Sequence, residues 1–68
     1  MSAYAPPGTV AEKILTIVTA RPGVLVADLP ALVGAPREAV VPEVWRLCRD
    51  AVLASEARFG RVALAVAP

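Results

Sequence analysis

The apolar positions of TVAEKILTIVTA, residues 9 to 20, keep a helical beat. Val10, Ile14, Ile17 and Val18 recur at i, i+4, i+7 and i+8, which lays them along one helix face, and Leu15 widens the stripe. Thr9 followed three residues later by Glu12 reads as a capping box, in which the hydroxyl takes an orphan amide and the glutamate reaches back. The pattern predicts a helix of about residues 10 to 20. Arg21-Pro22-Gly23 ends it, because proline and glycine do not continue a helix.

The next apolar run, Val24-Leu25-Val26, is short and partly β-branched, and reads as a brief strand or extended link. ADLPALVG then fits a short second helix. Asp28 is placed to cap it, and Pro30 falls in the first turn, where its missing N–H costs nothing. Leu29, Leu32 and Val33 are expected to point inward, with Gly34 closing the helix. Ala35 makes the turn and Pro36 opens a third helix. Steps of 100° put Val40, Val44, Leu47 and Ala51 on its apolar face, with Cys48 at the edge. Glu38, Pro42, Trp45, Arg46 and Arg49 fall on or near the other side. An interior proline loses one hydrogen bond and clashes with the preceding turn, so the helix is expected to kink at Pro42 or to restart there.

After Asp50 the period changes from helical to alternating. Val52 to Glu56 and Arg61 to Val66 read as two strands of a hairpin, with Ala57-Arg58-Phe59-Gly60 as the turn and Gly60 free to take positive φ. On the last strand Val62, Leu64 and Val66 form a large, core-like face, and Ala63, Ala65 and Ala67 a small one. MSAYAPPG, residues 1 to 8, reads as an irregular arm whose Tyr4 could dock on the body. The domain itself is expected to cover residues 9 to 67, giving an α+β chain of three helices and a C-terminal hairpin.

Composition narrows the function. Sixty-eight residues make one small domain, and 57% hydrophobic content supplies ample core, with some apolar surface left for a partner. The net charge of +1 is a weak electrostatic footprint for nucleic acid. One cysteine and no histidine leave no intramolecular disulfide and no Cys/His metal site, and a reducing cytoplasm is the simplest setting. No apolar run reaches the roughly 20 residues of a membrane span, and the N-terminus lacks the pattern of a signal peptide. Enzyme chemistry has no support: there is no histidine base, no phosphate-binding glycine loop and no evident pair of acids at a catalytic spacing. No cofactor is expected.

The order helix, short strand, helix, tight turn, helix, hairpin resembles the winged helix-turn-helix superfamily. GVLVADLPALVGAP is similar to the second-helix segment of that superfamily and the turn after it. Leu47-Cys48-Arg49-Asp50-Ala51-Val52-Leu53 resembles its third-helix ending, where a leucine, three polar residues and a Gly-Leu-Val-like triplet follow one another. The likeness spans about residues 9 to 66 and looks nearest to small MarR-like or ArsR-like regulators. The Ala, Val, Pro and Arg bias suggests a GC-rich bacterial or phage genome.

The resemblance implies a transcription regulator whose third helix enters the major groove of double-stranded DNA and whose hairpin wing touches the backbone or minor groove. Carried over by position, Arg37, Glu38, Val41, Pro42, Trp45 and Arg46 would face the groove, with Arg58 and Arg61 on the wing. Arg37, Arg46 and Arg49 are candidates for phosphate, and Arg37 or Arg46 for a guanine edge. The alternative for each is a solvated helix face with Glu38 or Glu43 as ionic partner. Trp45 is expected to close the core beneath the wing or the arm, to anchor a protein interface, or to stack on a base. Phe59 is expected to intercalate, to pack on a partner, or to fold back onto the helices. Cys48 reads as a small buried hydrophobe.

Two readings follow. The first is a DNA-binding regulator acting as a homodimer, joined through the alanine face of the last strand or through the arm and first helix. The second is a winged-helix module that binds protein through Pro42, Trp45 and Phe59, with no DNA readout.

Overall fold

The computed structural model describes residues 8 to 68. The arm assigned to residues 1 to 8, with Tyr4, therefore lies outside the described residues except for Gly8. The chain forms α1 (Val10–Ala20), a two-residue strand β1 (Val24–Leu25), a 3₁₀ turn (Val26–Asp28), α2 (Leu29–Val33), α3 (Arg37–Arg49), β2 (Leu53–Arg58) and β3 (Arg61–Val66). The fold class is α+β, with an antiparallel sheet in the order β1-β3-β2. No helix among the described residues is long and apolar enough to cross a membrane.

Thr9 opens α1. Its hydroxyl accepts a hydrogen bond from the Glu12 N–H at 3.2 Å, while the Glu12 carboxylate accepts one from the Thr16 hydroxyl. The face that α1 buries is centred on Ala11, Ile14 and Val18, with Val10, Leu15 and Ile17 packed at its margins. The stripe is thus rotated slightly from the one periodicity suggests, and the small Ala11 sits where α1 meets the core.

Asp28 stands at the start of α2 but its side chain makes no capping bond. A side-chain cap needs extended backbone at that residue. The preceding 3₁₀ turn has already brought Asp28 to φ −89°, ψ −15°. Gly34 closes α2 in the left-handed region, φ 77°, and its N–H bonds to the Pro30 carbonyl. Leu29 and Val33 are buried as expected, but Leu32 is 41% exposed. A helix of five residues has too narrow an inward face to bury all three.

α3 runs from Arg37 to Arg49 without restarting at Pro42, and Pro36 is its cap rather than its first residue. The Glu38 carbonyl loses its partner at position 42, and Glu38 is exposed, so water can replace that bond. Val40, Val44 and Leu47 are fully buried. Ala51 does not join them, because the helix ends first. The Val52 N–H bonds to the Leu47 carbonyl and the Ala51 N–H to that of Cys48, with Ala51 at φ 61°. This is a Schellman ending, and it turns Ala51 out to solvent.

The hairpin is longer and tighter than its sequence suggests. β2 extends to Arg58, and only Phe59 and Gly60 form the turn, with φ 50° and 75°. Two consecutive positive φ values are the signature of a type I′ turn, whose twist suits paired strands. Leu53 and Leu64 seal the core on the sheet side. The opposite sheet face carries Ala54, Glu56, Ala63 and Ala65, and no helix among the described residues covers it. No polar or charged residue among those described is buried.

Candidate functional site

Between the exposed side of α3 and the hairpin runs a groove of about 350 Å³. Arg37, Val41 and Trp45 line it from α3, residues 25 to 27 and Pro30 from the β1–α2 segment, and Gly60, Arg61 and Val62 from the hairpin. Arg37, Val41 and Trp45 fall on one side of α3 because four residues make about one turn. Trp45 is 45% exposed, so it forms a wall of the groove and does not close the core. No acidic side chain lines the groove.

The five arginines of α3 and the hairpin fall into two groups. Three are held by carboxylates. Arg46 Nε lies 2.8 Å from Glu43 Oε2 and its Nη1 lies 3.9 Å from Asp50 Oδ2. Arg49 Nε lies 3.7 Å from Asp50 Oδ1, with the Arg49 side chain largely exposed. Arg58 donates to Glu56 at 2.7 Å. Arg46 and Arg49 also stand in the last turn of α3, where a cation complements the negative end of the helix dipole. Their positions have a local explanation.

Arg37 and Arg61 make no ion pair among the described residues, and both line the groove. Arg37 is the first residue of α3, at the positive end of the dipole, where a cation is disfavoured. Pro36 offers no side-chain cap there, and the Ala39 and Val40 amides turn to the Pro36 carbonyl, which leaves the Arg37 and Glu38 amides for an acceptor from outside. The Arg37 guanidinium beside a helix start without a side-chain cap makes a setting for an anion, and Arg61 lines the same groove from the hairpin.

The hairpin tip carries its own tension. Arg58 and Arg61 face each other directly across the strands, and like charges so placed repel. Phe59 between them is 99% exposed and does not fold back onto the helices. Pro42 is exposed on α3, beside Val41, which is half-buried.

Cys48 is half-buried. Burial raises its thiol pKa, and a hydrogen bond with Ser55 lowers it by less, so the net shift is upward. A raised thiol pKa makes for a poor nucleophile at neutral pH.

Sequence reasoning reached the α3 and hairpin members of the groove but missed Pro30, Val62 and residues 25 to 27. They lie far apart along the chain, and only the packing of β1 against β3 brings them beside α3. Compared with family models, curated proteins and solved structures, the chain matches none.

Proposed function

We propose that this domain is a small double-stranded DNA-binding regulator that grips the phosphate backbone between the start of α3 and the hairpin. The observation that carries the reading is that Arg37 and Arg61, neither ion-paired among the described residues, both line one groove with no acid in its lining. Each stands where local structure gives it no counter-charge, and a phosphate would supply one. The helix order and the β1-β3-β2 sheet support a winged helix-turn-helix, with the β2–β3 hairpin as wing. Arg49, exposed and loosely paired, adds a contact at the far end of α3. Arg46 and Arg58 contribute only after exchanging a carboxylate for a phosphate. A second copy, joined through the uncovered alanine face of the sheet, would double the phosphate contacts.

The test is a salt titration of binding to random duplex DNA. Affinity should fall steeply with salt as counterions are released, and Arg37→Ala with Arg61→Ala should lower the slope of log affinity against log salt by about two, one per lost phosphate contact. Absence of binding at low salt would defeat the proposal. The second reading, a protein-binding winged helix, draws on the half-exposed Trp45 beside Val41 and Pro42. It requires Trp45→Ala to abolish partner capture while leaving the fold intact.

A further inference from the structure

Three features of the hairpin tip oppose local stability, and together they point to what it meets. Phe59 holds φ 50°, a left-handed conformation that bulky side chains rarely adopt and that Asn or Gly adopts readily. Its ring is 99% exposed and packs on nothing. Arg58 and Arg61 close the turn as a directly opposed like-charged pair, and the Glu56 carboxylate reaches only Arg58. Within the domain Phe59 is a poor residue for this turn, its ring is exposed, and of the opposed arginines only Arg58 has a carboxylate partner. A ligand that offers a flat apolar surface between negative charges takes up the ring and Arg61, and Arg58 joins them by exchanging the Glu56 carboxylate for one of those charges. A nucleic-acid base between its flanking phosphates is such a ligand.

We propose that the tip formed by Arg58, Phe59, Gly60 and Arg61 is a stacking wedge, with the Phe59 ring on an unstacked base and the two arginines on the adjacent phosphates. The type I′ turn makes the ring the outermost group of a short, stiff ribbon, so it reaches a base without a loop to order. A fully paired duplex must be unstacked before the ring can enter. A mismatch has already lost part of that stacking, so the wedge selects DNA with a weakened step. This rests on the DNA-binding reading and adds a preference to it.

The experiment uses the whole chain and two duplexes of one sequence. One is fully paired, and the other carries a single mismatch beside a 2-aminopurine reporter. The wild type should bind the mismatched duplex about tenfold more tightly, as stacking of one base on an aromatic ring warrants, and should change the reporter's fluorescence. Phe59→Asn keeps the turn and removes the ring. It should bind both duplexes alike and leave the reporter unchanged, while Phe59→Tyr restores the preference. Equal binding of both duplexes by the wild type, or an unchanged preference in Phe59→Asn, overturns the wedge and leaves the DNA-binding reading standing. Failure to bind either duplex overturns both.

Discussion

Ala51 and Phe59 are the two non-glycine residues with positive φ among those described, and they hold it for different reasons. At Ala51 the Schellman ending of α3 demands the left-handed region, which costs a residue with a Cβ roughly 1 kcal/mol relative to glycine. Ala51→Gly should therefore raise stability by about 0.5 to 1 kcal/mol, after the greater freedom glycine gives the unfolded chain is discounted, and urea denaturation would read it. A loss of stability would show that the Ala51 methyl makes a contact that matters. The sequence put Ala51 on the buried face because a helical projection carries no sign of where the helix stops. The three residues before it are Cys48, Arg49 and Asp50, and only the observed hydrogen bonds reveal that the turn closes after Arg49.

Cys48 makes a pH prediction. Its thiol holds its proton to higher pH in the folded chain than in the unfolded one. The folded state thus binds more protons above the ordinary thiol range, near about 8.5, so this contribution to stability is complete below that pH. It declines as pH rises towards the folded value. Denaturation midpoints measured from neutral to alkaline pH should fall faster for the wild type than for Cys48→Ala, and parallel curves would contradict the assignment.

At the scale of the element, α3 shows how a helix absorbs an apparent fault. Pro42 removes one backbone bond, yet the helix continues because the orphaned Glu38 carbonyl is at the surface and α3 runs on to Arg49 beyond it. Pro42→Ala should stabilise the protein by about 2 kcal/mol, the interior-proline cost less the freedom returned to the unfolded chain. Thermal denaturation checks it, and an unchanged midpoint would mean that the start of α3 is frayed already. The existence and type of α1, α3 and the hairpin strands were legible from periodicity alone, since each has enough residues to show its beat. The Arg46 to Glu43 pair was also legible, because three-residue spacing on a helix is local information. That Arg37 and Arg61 line one groove was not, for it depends on how the hairpin and the β1–α2 segment pack beside α3. Nor was the tip, where Arg58 reads as turn until its pairing with Arg61 is seen.

At the scale of the whole molecule, charge is apportioned. The net +1 of the chain argues weakly for a polyanion when spread evenly, but the structure pairs Glu43, Asp50 and Glu56 with Arg46, Arg49 and Arg58 and leaves one groove with no acid in its lining. The core is equally partitioned: every fully buried side chain among the described residues is aliphatic, and each contributes about 1.5 to 3 kcal/mol from burial.

The pairing of β1 with β3 has one more consequence, for the order of assembly. Val24 is registered with Leu64, forty residues further along the chain. Everything between them must be gathered into one closed loop before this contact forms, and Leu64 is also a lid of the core. The helices alone can meet early, through contacts near in sequence, but they remain an open cup until β3 arrives. A nascent chain on the ribosome would hold that cup half-made, its aliphatic lining wet, until Leu64 had cleared the exit tunnel. Completion is then a single late event, and loop closure rather than helix formation should set its pace.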